Sequence, residues 1–164
     1  MKNLVLVAIG REGVPAGDCP ALDGVARDAC EATAGLYARR GFVPPWVGYL
    51  AVSGETVAGT CAFTAPPAAG EVELAYFTFP RFEGRGLATA MASRLVALAR
   101  ATDPGIALVA HTLPERNAST RILEKLGFAL RGPFAHPEDG EIWVWELPPS
   151  AATPPPAEIP LPTL

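Results

Sequence analysis

The sequence predicts a mixed α/β domain: a sheet with helices packed on its faces. Three observations carry that prediction. The middle of the chain alternates strand, glycine-rich loop, helix, strand, helix, while each end carries antiparallel strand pairs. The chain has 164 residues and is 49% hydrophobic, enough for one domain with a substantial core. Only 18% of the residues are charged and the net charge is -4, which excludes a disordered chain.

Residues 1–10 read as a first strand. Their apolar run, Leu4 to Ile9, is followed at once by Arg11 and Glu12, so it is too short for a secretory leader. A loop punctuated by Gly13, Pro15, Gly17 and Pro20 precedes a helix predicted over 21–40. There Leu22, Val25, Ala29, Thr33 and Leu36 recur three or four apart, and Arg39-Arg40-Gly41 supplies a stop. Pro44-Pro45 breaks the chain, and 46–52 and 56–64 form a hairpin across Ser53-Gly54-Glu55.

Residues 71–79, rich in aromatic and branched side chains, are the next strand. A loop from Pro80 to Gly86 leads into an alanine-rich helix over 87–100, whose Leu87, Met91, Leu95 and Leu98 make one stripe. A short buried strand over 106–112 follows, then a helix over 118–126 stopped by Gly127. Strands 128–133 and 141–147 close the domain as a hairpin across Pro137 to Gly140. The domain therefore spans 1–147, and 148–164 is a tail holding seven of the eighteen prolines, expected to be extended.

Charge and cysteine usage exclude several function classes. A chain of net charge -4 lacks the basic stripe that nucleic acid needs. No run approaches the roughly 18 apolar residues of a membrane span. Cys19, Cys30 and Cys61 are odd in number and have no C-x-x-C spacing, which suits buried thiols in a reducing cytoplasm and no metal site. Abundant alanine and eleven arginines against two lysines suggest a GC-rich bacterial genome.

The loop Arg81-Phe82-Glu83-Gly84-Arg85-Gly86-Leu87-Ala88 lies between a strand and a helix N-terminus. Two glycines permit a tight turn and close approach of a ligand to the backbone. The helix end presents unpaired amides and a partial positive charge, a setting for phosphate or pyrophosphate. A dinucleotide fingerprint does not fit, because Thr89 stands at its sixth position and the next strand ends Ala110-His111-Thr112 without an acid.

Arg81-x-x-Gly84-x-Gly86-x-Ala88 resembles the acetyl-CoA pyrophosphate signature of the GCN5-related N-acetyltransferases. Asn117 to Phe128, ending Glu-Lys-Leu-Gly-Phe, is similar to the second conserved block of the family's RimJ/RimL-like branch. The resemblance covers about residues 20–147. It implies a central mixed sheet of six to seven strands, splayed between the strands 71–79 and 106–112, with acetyl-CoA in the split and no metal. Phe77, Thr78 and Phe79 would pair with the pantetheine. Arg81 and Arg85, with the amides of Gly84, Gly86, Leu87 and Ala88, would hold the pyrophosphate, and Asn117 and Ser119 would meet the arm or its sulfur end.

Acetyl transfer to an amine needs a base, because an ammonium has no lone pair. Strand alternation puts Glu71, Glu73, Ala75, Phe77 and Phe79 on one face. A carboxylate among apolar neighbours is costly unless paired or functional, which makes Glu73 the candidate base. Relatives often carry a tyrosine acid where Leu123 stands, so Ser119 or water is the expected substitute. His111 could orient the substrate or shuttle a proton, and Trp46 and Tyr49 could flank the acceptor. The expected partner is a primary amine, either a protein N-terminus or a small molecule, for a monomer or homodimer. The competing reading is a non-catalytic acyl-CoA-binding or regulatory module.

Overall fold

The computed structural model describes residues 4–150. Seven strands form one sheet: β1 (Leu4–Ala8), β2 (Gly48–Ser53), β3 (Thr56–Phe63), β4 (Glu71–Thr78), β5 (Ala107–Thr112), β6 (Ala129–His136) and β7 (Gly140–Leu147). Three α-helices accompany them: α1 (Gly24–Arg40), α2 (Leu87–Thr102) and α3 (Ala118–Lys125). The sheet order is β1-β2-β3-β4-β5-β7-β6. Every pairing is antiparallel except β4 with β5. The mixed α/β class is therefore the observed one. The tail expected over 148–164 lies, from 151 onward, outside the described residues.

Elements form where the local chemistry favours them, with informative shifts. α1 begins at Gly24, because the Asp23 side chain accepts a hydrogen bond from the Ala26 amide at 2.9 Å and caps the helix. Its buried face is Ala26, Cys30 and Tyr37, a stripe rotated from the expected one; Val25 is 49% exposed. Tyr37 sets that rotation: its hydroxyl donates to Ile9 O at 2.8 Å and accepts from Gly48 N at 2.9 Å. A buried phenol needs such partners, so the helix turns to deliver it. In α2, Leu87, Met91 and Leu95 are buried as expected, and Ala99 rather than Leu98 completes the stripe. β6 runs through Pro133 to His136, beyond the expected end at 133. Proline is tolerated there because β6 is an edge strand and need not donate on its open side.

The two faces of the sheet carry different helices. In the β3–β4 register, Gly59, Cys61 and Phe63 stand opposite Thr78, Tyr76 and Leu74. These face α2: a Cβ on Gly59 would lie 3.2 Å from Met91 Cε and 2.5 Å from Phe77 O, so only glycine fits. The other face presents Thr60, Ala62, Ala75 and Phe77, toward Thr33 of α1. Leu74, Met91, Leu95, Leu108, Leu123 and Trp145 are fully buried at the centre of the core. No helix of the described residues is long and apolar enough to cross a membrane.

Candidate functional site

β4 and β5 are parallel partners over only three residues, Glu71↔Ala107, Val72↔Leu108 and Glu73↔Val109. Beyond that point β4 stays paired to β3 up to Thr78, and β5 stays paired to β7 up to Thr112. The two halves of the sheet therefore part after Glu73 and Val109, where the splay was expected. Main-chain groups on the β5 side of β4 are left without a strand partner beyond Glu73, a ready edge for an extended ligand.

A cleft of about 530 Å³ opens at this split on the α2 face, lined by Tyr76, Phe77 and Thr78 of β4, the loop from Phe82 to Gly86, the first turn of α2, and Ala118, Ser119 and Ile122 of α3. Gly84 and Gly86 have φ of 78° and 77°, the left-handed conformation that glycine adopts without strain. Gly86 is the N-cap of α2 and has no side chain to satisfy the first amides, which leaves them open to an anion. Arg81 and Arg85 flank the Phe82 ring at 5.4 and 5.6 Å from its centroid. Two cations thus stand around a cleft-lining aromatic at the loop.

Within the cleft, Thr78 Oγ1 is a buried side-chain oxygen with no hydrogen-bond partner among the described residues. An unmet buried hydroxyl costs about 1–3 kcal/mol. Phe79, expected beside Phe77 and Thr78, has its main-chain groups engaged within the protein. Its amide donates to Ala58 O, its carbonyl accepts from Phe82 N, and its ring is buried. Asn117 is the N-cap of α3: its Oδ1 accepts from Thr120 N at 3.1 Å while Thr120 Oγ1 accepts from Asn117 N at 2.9 Å. This capping box orients the helix end that brings Ser119 into the cleft.

Glu73 and His111 meet at the closed end of the split. Glu73 Oε2 lies 3.7 Å from His111 Nδ1, and about a third of each side chain is exposed. Both belong to the α1 face, opposite the cleft. A second cavity of about 90 Å³ is lined by Leu74, Ala75, Tyr76, Ala110, His111, Thr112 and Ser119. It takes in His111 from one face and Ser119 from the other. The His136 ring is 6.5 Å from the His111 ring, and His136 Nδ1 accepts from the amides of Glu138 and Asp139.

Trp46 and Tyr49, expected beside the acceptor, are core residues instead. Each is only 8% exposed. The Trp46 ring packs edge-on against Phe63 at 4.9 Å, and the Tyr49 hydroxyl donates to Pro45 O at 2.6 Å. The proline pair folds this segment back on itself, and the aromatics fill the space beneath β2. Tyr76 was missed by sequence reasoning. Its hydroxyl donates to Ser119 O at 3.3 Å, and burial pushes its pKa up to about 12. Its place on the cleft face was legible from strand alternation; its meeting with α3 was not.

Among the described residues, no group of three or more His, Cys, Asp or Glu side chains is arranged to hold a metal ion. Comparison with known proteins adds three findings. No curated protein matches the sequence. Solved structures do share the fold. A RimL ribosomal L7/L12 alpha-N-protein acetyltransferase has TM-score 0.65 and 15% identity over 92% of this chain and 96% of its own. The Salmonella typhimurium acetyltransferase yncA, solved with acetyl-CoA, has TM-score 0.60 and 21% identity over 83% of this chain and 79% of its own. A GNAT-family acetyltransferase from Desulfovibrio desulfuricans has TM-score 0.59 and 18% identity over 79% and 84%. The acetyltransferase (GNAT) domain model matches residues 17–129, which hold β2 to β5, the glycine loop and the three α-helices, and the chain therefore belongs to the GNAT acetyltransferase family.

Proposed function

We propose that this protein is an acetyl-CoA-dependent N-acetyltransferase that acetylates a primary amine by direct attack. The observation that supports this most is the arrangement around one split. A glycine loop with an open helix N-terminus and an unmet hydroxyl lie on one face, a carboxylate–imidazole pair lies on the other, and a small cavity has His111 and Ser119 in its lining. Acetyl-CoA supplies the acyl group as an activated thioester. Thr78, Ser119 and the α2 amides fit its polar arm and pyrophosphate, and Arg81 and Arg85 add positive charge at the loop.

Glu73 takes the proton from the incoming ammonium or amine, alone or through His111. General-base help of this kind is worth about 10²–10⁴-fold. The amine nitrogen then forms a bond to the acetyl carbon and the carbon–sulfur bond breaks. Backbone amides of β4 beside the split are placed to polarise the carbonyl. Glu73 also gives the acceptor entrance a negative group, which suits a cationic amine. A protein α-amine needs less help from a base than an alkylamine, its pKa being near 8 rather than 10.4. RimL, named for acetylating a protein N-terminus, shares the fold and makes that acceptor class the first to screen. The free cysteines, Cys30 and Cys61 buried, agree with work in a reducing cytoplasm.

Calorimetric titration of acetyl-CoA, with ATP and NAD as controls, tests the cofactor. Micromolar binding of acetyl-CoA alone is expected, and equal binding of ATP would overturn the reading. A panel of N-terminal peptides, polyamines and small amines, read by thiol release, then separates an enzyme from an acyl-CoA-binding module. Binding without turnover of any amine would favour the module.

A further inference from the structure

We propose that the Tyr76 hydroxyl is the hydrogen-bond donor that stabilises the departing thiolate. This rests on the reading of the cleft as an acetyl-CoA site. The position where relatives keep an acidic tyrosine is occupied here by Leu123, whose side chain is fully buried in the core. No donor reaches the cleft from there. The fold supplies one from the opposite side. Tyr76 projects from β4 on the α2 face and spans the opening to α3, where its hydroxyl meets Ser119 O.

Three features place that hydroxyl at the reacting end. Tyr76 and Ser119 line both the 530 Å³ cleft and the 90 Å³ cavity, so they stand where the two join. The glycine loop and α2 N-terminus line the cleft but not the small cavity, so an arm anchored there and laid along β4 runs toward Tyr76. His111, beside Glu73, lines the far side of the same small cavity. Base and donor thus approach one point from opposite faces of the sheet.

The existing bond to Ser119 O is 3.3 Å, long for a hydroxyl donor. An anionic sulfur is a stronger acceptor and takes that donor in exchange. The amine lone pair forms the carbon–nitrogen bond, and the carbon–sulfur bond breaks with its electron pair going to sulfur. Glu73 receives the amine proton. Tyr76 keeps its own proton, since burial holds the phenol protonated across the working pH range. It stabilises the thiolate without titrating. With thiol pKa values near 8.5, a hydrogen bond is sufficient help.

The test is the ionisation of the free coenzyme A thiol bound to the protein, read by thiolate absorbance against pH with the unliganded protein subtracted. It needs no acceptor. Wild type is expected to hold the bound thiol at least one pH unit below its value in Tyr76→Phe, a tenfold change in ionisation. Calorimetric affinity for coenzyme A should stay within threefold, which shows that the variant is folded. Tyr76→Met is a second hydroxyl-free variant should the phenylalanine protein prove unstable. Equal thiol ionisation in wild type and folded variant overturns the proposal. So does a shift that appears in Ser119→Ala and not in Tyr76→Phe, which would make the serine the donor. Failure of wild type to bind coenzyme A at all would instead overturn the acetyl-CoA reading on which this rests.

Discussion

Glu73 Oε2 and His111 Nδ1 lie 3.7 Å apart where two parallel strands part: Glu73 belongs to their last pair, with Val109, and His111 stands two residues further along β5. Had β4 and β5 stayed paired, main-chain hydrogen bonds would fill the space beside them. Because the strands part there, a carboxylate and an imidazole face an open site. Glu73→Gln removes the proton acceptor and keeps the shape. We expect kcat to fall at least about 100-fold while acetyl-CoA affinity stays within twofold, by steady-state kinetics and calorimetry. Unchanged kcat would take Glu73 out of the chemistry.

Gly86 combines a left-handed φ of 77° with a place at the mouth of the cleft. A β-branched side chain there costs about 1–2 kcal/mol in backbone strain and stands over the amides that receive the anion. Gly86→Val should raise the Kd for acetyl-CoA by tenfold or more. Retained affinity would show that the loop is not the phosphate cradle.

Asn117 separates a structural role from a ligand role. Its Oδ1 caps α3, so Asn117→Ala should cost about 1 kcal/mol and lower Tm by about 2–4 °C. Asn117→Ser restores a cap and should restore Tm. If acetyl-CoA affinity stays low in the serine variant, Asn117 also contacts the ligand.

Alkaline stability follows from buried acids, Tyr49 and Cys61 among them. Burial pushes the Tyr49 phenol from 10 to about 12 and the Cys61 thiol from 9 to about 12. Both are neutral when protonated. Above pH 9 the unfolded chain releases these protons first, so the folded state binds more protons than the unfolded state and stability falls as pH rises. Each group contributes a slope of up to about 1.4 kcal/mol per pH unit between its two values. Tm should show no loss from these groups between pH 7 and 8.5 and should fall through pH 9–11. Cys61→Ala should make the fall begin nearer pH 10. A Tm that rises over that window would contradict the burial of both groups.

The glycine loop's geometry was legible in the sequence. Glycines with arginines between a strand and a helix have one physical use that outranks a plain turn, and Gly84, Gly86 and the α2 end bear that geometry. Period-two alternation correctly put Glu73 on the face away from Tyr76. For the aromatics near Pro44-Pro45, composition does not say whether a ring faces the core or a ligand; Trp46 and Tyr49 are buried.

By itself the sequence determined the elements, the order of strand types, the glycine loop and the family. Those are local: propensity, periodicity and turn chemistry act over a few residues. Tertiary structure alone decided which residues meet. Glu73 and His111 are 38 positions apart, and Tyr76 and Ser119 are 43 apart. Both contacts exist because two strands pair for three residues and then diverge, while α3 is carried over the gap by its own cap. Where those two strands part is a matter of long-range pairing that no short stretch of sequence encodes.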